Sequence, residues 1–400
     1  MPDAFIYDAI RTPRGRAKPD GGLHELSPFE LLKPLYQALV ERNNLDPGLV
    51  GDVLLGCVTQ YSEQAGNIAK SSLLYAGWPS SVSGMTVTRF CSSGLDAISV
   101  AAMKVMVGQE QATVGGGVEM MSRVPMMSDQ AAIFSDPTTA IAARVLLMGS
   151  GADLIASLQG ASRTAVDSVA LMSQQRATIA RDEGRFTSII PIYNPHKDSW
   201  ISQDECIRPH TTLDSLAQLP VSFADIGAAG ADAVQLAQYP QLTAIEHVHT
   251  AGNSPAMADA ASLTLIGNRA LGEQLGRAPK AVIRAMVNAS DEPLQVLSGC
   301  IVATQKLLQR SGLRVDDIDL FEIHEAFAAT IIKLQNELDI PTDKLNVNGG
   351  VIAMGHPLGA TGAIMMGTLI DELTRRELKR GIVATSGAAG SGTAILIELL

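Results

Sequence analysis

At 400 residues the chain exceeds one ordinary core at roughly 150 residues per domain, so two or three domains are expected and a single small module is excluded. Hydrophobic residues make up 46% and charged residues 18%, which excludes wholesale disorder; 36 glycines against 4% aromatics suit closely packed α/β layers better than a β-sandwich. A net charge of −11 argues against nucleic-acid binding, which needs a basic face, and cysteines at 57, 91, 206 and 300 with no CxxC exclude a zinc ribbon or disulfide scaffold and fit a reducing cytoplasm.

In chain order, Met1-Pro2-Asp3 runs straight into a strand-like Ala4–Ala9, without the basic region and apolar stretch of a signal peptide. No run approaches about 18 uninterrupted apolar residues, so no membrane span is expected. Short apolar runs such as Asp52–Gly56 and Gly381–Thr385 alternate with amphipathic stretches, the α/β rhythm. Leu39–Val58 echoes Leu308–Glu325, each a helix end, a polar link and a buried strand. Thr86–Gly108 echoes Asn346–Leu369, each a short strand, a tight turn of small residues and a helix. A duplicated chain accounts for both echoes and would bring the corresponding turns, with Cys91 and His356, near a pseudo-twofold axis. Between them, from about 120 to 250, Pro125, Pro137, Pro191, Pro195, Pro209 and Pro220 interrupt the rhythm, which reads as an inserted, loop-rich subdomain covering a substrate.

Cys91, in Arg89-Phe-Cys-Ser-Ser-Gly94, immediately precedes a helix, where free amides and the helix dipole would favour a thiolate. His356, in Gly355-His-Pro-Leu-Gly-Ala-Thr-Gly362, reads as opening a helix with Pro357 in its first position, and could deprotonate a cysteine for acyl transfer. His324, in His-Glu-Ala-Phe-Ala328, follows the strand Ile318–Ile323 and lacks the second histidine of a zinc protease, leaving an oxyanion-binding or structural role. Glu325 could hold a ring nitrogen or cap a helix. The His247/His249 pair is weak grounds for a metal, and none is expected. Ser386–Gly392 (SGAAGSG) lies between two strands, so it reads as a hairpin rather than a phosphate loop, with backbone N–H groups available to an oxyanion.

Together, RTPRG at 11–15, RFCSSGLDA at 89–97, GGGVEMMSRVP at 115–125, HTAGNS at 249–254, HEAFA at 324–328 and NGGVIAMGHPLGATGA at 348–363 resemble the thiolases across essentially the whole chain. The resemblance implies a duplicated, five-layered αβαβα fold, with an N-terminal half over 1–268 carrying a loop domain at about 120–250, and a C-terminal half over 277–400. It implies Cys91 as acyl-carrying nucleophile and His356 as its base, with the oxyanion met by His356 and a water held by His324 and by backbone amides including that of Cys91, and with the Ala388 backbone at the substrate. It also implies Ser254 beside the pantetheine arm. CoA and acyl-CoA are then substrates rather than tightly bound cofactors, and Arg208 and Lys197 are candidates for the CoA phosphates. A homodimer or tetramer is implied, and the similarity to trifunctional-type β subunits adds a hydratase/dehydrogenase α subunit as a partner.

One departure stands out. Thiolases place a second cysteine near the C-terminus to move a proton at the acetyl α-carbon, whereas the matching residue here is Ser386, whose hydroxyl is a poor base beside a thiol of pKa about 8.5. The resemblance implies thiolytic cleavage of a 3-ketoacyl-CoA into acetyl-CoA and a shortened acyl-CoA, as in fatty-acid β-oxidation, with Ser386 or a water replacing the acid; the alternatives are an acyltransferase or thioesterase without C–C chemistry, or a non-catalytic CoA-binding subunit.

Overall fold

The computed structural model describes residues 3–400. The first half runs β1 (Ala4–Arg11), α1 (Pro28–Asn43), β2 (Val50–Gly56), α2 (Ile68–Tyr75), β3 (Ser83–Val87), α3 (Ser93–Met106) and β4 (Ala112–Met120). Helix α1 starts where a capping box predicts, since Ser27 and Glu30 satisfy each other's backbone amides and Pro28 needs no N–H partner. After an excursion containing α4 (Pro137–Ala143), α5 (Met148–Gln159) and α6 (Arg163–Asp182), the chain returns in β5 (Ala258–Gly267). The second half is β6 (Ala281–Ser290), α7 (Gly299–Ser311), β7 (Leu320–Ile323), α8 (Ala328–Leu338), α9 (Thr361–Arg375), β8 (Arg380–Ser386) and β9 (Ser391–Leu399).

The strands form one path, β7-β8-β9-β6-β1-β5-β4-β2-β3, and the short strand Gly15–Arg16 pairs beside it with β5. Read outward from the central antiparallel pair β1/β6, the two arms repeat each other. Each has two antiparallel pairings, β1/β5 and β5/β4 against β6/β9 and β9/β8, and then a parallel one, β4/β2 against β8/β7. The parallel pair β2/β3 of the first arm is matched by a single parallel bridge, Phe321 to Leu345. The two sequence echoes are thus the α1–β2 and α7–β7 joints and the turns leading into α3 and α9.

Strand alternation builds the layers. Val53 and Leu55 of β2 face α1 and α2, while Leu54 points the other way, onto α3 and α9. In β8, Ile382 and Ala384 face α7 and α8, while Val383 meets the same central helices. The order is outer helices, half-sheet, central helices, half-sheet, outer helices.

The excursion is more ordered than its prolines suggest. From Thr138 to Glu183 there is no proline, Asp136 caps α4 and Ser162 caps α6 with their side chains, and α5 and α6 run 12 and 20 residues. Irregular chain is concentrated beyond α6, where the ribbon Ile192–Asn194/Ser199–Ile201 sits among the remaining prolines. Pro137–Gln159 is the one stretch among the described residues long and apolar enough to cross a membrane. It divides into α4 and α5 around Arg144, a left-handed residue at φ 57°, and half of it is buried inside the protein.

Candidate active site

The two central helices set the site. Gly94 and Gly362, in the first turns of α3 and α9, allow backbone-level contact: a Cβ on Gly94 would lie 2.5 Å from the Gly359 carbonyl, and one on Gly362 would lie 2.7 Å from the Leu95 amide. The turns before these helices therefore meet. Phe90 holds φ at 48°, a costly conformation for an aromatic residue, and delivers Cys91 two residues ahead of α3.

Cys91, His324 and His356 line one cavity of about 360 Å³ whose other walls include Met121, Met126, Ile133, Phe134, Met148 and Phe327. The two imidazole rings lie 4.5 Å apart, centroid to centroid, at 47°. His356 is not at a helix start: it follows Gly355, at φ 101°, and Pro357 precedes a 3₁₀ turn, Leu358–Ala360, that separates the histidine from α9. That turn carries the ring away from the α9 axis and lets Nδ1 reach Thr361 Oγ1 at 2.7 Å.

Burial dominates the electrostatics of the site. Burial, helped by the Glu119 carboxylate, pushes the Cys91 thiol up to about 12 against the pull of its own amide. The thiolate expected at a helix N-terminus is therefore absent at rest, because desolvation outweighs the dipole. Burial, then His324 and Arg14, hold His356 well below the ordinary imidazole value, and burial brings His324 down to about 4. Both rings are neutral, so a thiol and an uncharged base share the cavity at rest.

His324 follows β7 directly, and its Nδ1 lies 3.1 Å from the Ser386 carbonyl, while Nε2 is buried without a partner among the described residues. The amide of Cys91 faces its own sulfur, and neither it nor the Ala388 amide donates to any other acceptor among the described residues. Ala388 sits on the cavity wall in the expected hairpin between β8 and β9.

Other sequence candidates fall elsewhere. Ser386 is fully buried and outside the cavity lining: its Oγ donates to the Leu297 carbonyl at 2.6 Å and accepts the Cys300 amide at 2.9 Å, which ties down the start of α7. Ser254 is also off the wall, where Pro255 and Met257 stand instead. Lys197 spends its ammonium on the Gly21 carbonyl at 2.8 Å. Arg208 is exposed, two residues beyond Cys206, whose sulfur abuts Gly355 next to His356. Glu325 binds Ser173, Asn346 and the Ile352 amide, joining α6 to the segment before His356. His247 and His249 both bind Asp153, and His249 Nε2 takes the Ala329 amide at the start of α8.

Two residues carry weight that the sequence did not reveal. Glu119 accepts from the amides of Val58, Thr59 and Gly359 and from Gln64. Its position inside the glycine-rich β4 motif was the available signal. Thr361 orients His356, and only the pairing of the two side chains marks it.

Fold and site together define an acyl-transfer enzyme built on a doubled α/β unit. The thiolase N-terminal domain family matches residues 4–270 and the thiolase C-terminal domain family matches 277–399, so the chain belongs to the thiolase family. It is 36% identical over 406 residues to a 3-ketoacyl-CoA thiolase of Aliivibrio fischeri and 35% identical over 415 residues to one of Bacillus subtilis, with all of each chain covered. Among solved structures, the Bacillus anthracis acetyl-CoA acetyltransferase matches with a TM-score of 0.85 at 31% identity, over 100% of this chain and 99% of that one.

Proposed function

We propose that this protein is a 3-ketoacyl-CoA thiolase that carries the acyl group on Cys91. The observation that carries the reading is the convergence of the Cys91 thiol, the neutral His356 ring and two amides without outside acceptors on one largely apolar cavity. With Nδ1–H donated to Thr361, His356 Nε2 is left to take the thiol proton as Sγ attacks the C3 carbonyl of the substrate. The amides of Cys91 and Ala388 are suited to the oxygen that becomes negative. Breaking C2–C3 releases acetyl-CoA, and CoA then attacks the Cys91 thioester, leaving an acyl-CoA two carbons shorter and a free thiol. The methionine-rich wall favours an apolar acyl tail, since unbranched thioether side chains adapt to different occupants.

As partners we propose CoA thioesters and a second copy of the chain. The outer side of β3 is an open edge, and Met85 on it is exposed, with Leu74 and Tyr75 of α2 nearby, a surface suited to strand pairing across a twofold axis. Arg208 remains our candidate for a CoA phosphate. The placement of Ser386 outside the cavity favours one second reading, acyl transfer without carbon–carbon cleavage.

The test is the intact mass of the protein after exposure to a 3-ketoacyl-CoA, with acetyl-CoA release assayed alongside. A Cys91 acyl adduct with acetyl-CoA release supports the thiolase. An adduct from simple acyl-CoA without cleavage supports the second reading, and no adduct with either substrate overturns both.

A further inference from the structure

Cleavage leaves a carbanion on the departing acetyl-CoA, and some group must protonate it; condensation needs the same group to remove that proton. Ser386 is unsuited, because its hydroxyl proton is committed to the Leu297 carbonyl and the side chain does not reach the cavity wall. Cys300 is likewise off the wall, packed into the core from the first turn of α7. The titratable side chains that line the cavity are Cys91, Asp129, His324 and His356. Asp129 is exposed at the mouth, and Cys91 and His356 are occupied by acyl transfer.

His324 has the required geometry. A carbonyl only accepts, so the contact with Ser386 places the ring proton on Nδ1 and a lone pair on Nε2. That nitrogen is buried, unpartnered among the described residues, and belongs to a ring 1% exposed on the cavity wall. A buried polar atom without a partner is costly, so it marks a place where a ligand or water completes the site.

We propose that Nε2 of His324 is the acid–base for the acetyl α-carbon, the duty that Ser386 does not carry. The proposal rests on the thiolase reading above. The protons balance without another group. In cleavage the Cys91 thiol proton passes to His356 and on to the neighbouring His324; the Sγ–C3 bond forms and C2–C3 breaks, with its electron pair on C2. His324 then gives its Nε2 proton to C2, acetyl-CoA leaves, and both rings return to neutral. Condensation runs the same steps backwards. The imidazolium exists only beside the enolate, whose charge offsets the burial that keeps the ring neutral at rest.

The experiment measures deuterium uptake from heavy water into the methyl group of acetyl-CoA, together with Cys91 acylation by intact mass and acetyl-CoA release from a 3-ketoacyl-CoA. His324→Asn can still hold a water but cannot accept the α-proton. It is expected to acylate Cys91 from acetyl-CoA, a thioester exchange that breaks no carbon–carbon bond, within about threefold of the parent, while deuterium exchange and 3-ketoacyl-CoA cleavage both fall by about a hundredfold. Exchange and cleavage at parental rates in His324→Asn would show that the ring only holds water or packs, and would overturn the proposal alone. A parent protein that never acylates Cys91 overturns the thiolase reading and the proposal with it. Should His324→Asn fail to acylate, His324→Ala with added imidazole decides: restored exchange supports the proposal, and no restoration overturns it.

Discussion

Glu119 and Gly359 are joined by a 2.9 Å hydrogen bond that crosses from β4 of one half to the turn ahead of α9 in the other, 240 residues away. The same carboxylate takes the amides of Val58 and Thr59 and the side chain of Gln64, so one buried group holds the floor beneath Cys91. Glu119→Gln would aim an NH₂ at groups that can only donate, and is expected to cost about 1–3 kcal/mol in denaturant unfolding. Because the Glu119 charge raises the thiol, its loss lowers the Cys91 pKa, and alkylation at pH 8 should quicken if the variant folds.

The pH profile of Cys91 follows from the two shifts. With the thiol up at about 12, its alkylation should show no titration step between about pH 6 and pH 9, where an ordinary cysteine ionises. On the acid side, His356 is held neutral well below its usual value, so the base stays available and acylation should not decline as pH falls through about 6.5. A thiol titrating near pH 7, read by iodoacetamide labelling, would contradict the first expectation, and acylation that declines through about pH 6.5 would contradict the second.

Thr361→Val keeps the volume and removes the partner of His356 Nδ1. The ring then loses its preferred tautomer and orientation, and kcat is expected to fall about tenfold with KM little changed. Thr361→Ser should recover most of that loss in steady-state assays.

Ser386→Ala separates fold from chemistry. It leaves the Leu297 carbonyl and the Cys300 amide unpaired in the core, and calorimetry should register a loss of about 1–3 kcal/mol. The His324 contact is to the backbone of Ser386, which the substitution keeps, so kcat is expected to stay within about twofold of the parent.

Much was legible in the chain itself. Alternating apolar runs gave the strands, the repeated helix–link–strand and turn–helix patterns gave the duplication, and the placement of Cys91 and His356 in equivalent turns anticipated that they share one cavity. These are local or periodic properties, which a sequence states directly. The prolines of the excursion signal a loop-rich subdomain, whereas its proline-free stretch forms α5 and the Ser162-capped α6.

What the linear chain could not determine was solvation and side-chain direction. A cysteine ahead of a helix carries the same letters whether its thiol is lowered by the dipole or pushed up by burial beside Glu119, and only the packed halves decide that burial wins. Ser386 likewise reads from the sequence as a candidate for proton transfer, yet Leu297 and the start of α7 capture its hydroxyl. The sequence by itself determined the doubled fold and the residues that meet at its centre; tertiary structure decided which of their atoms face the cavity, because desolvation and hydrogen-bond partners come from chain segments hundreds of residues apart.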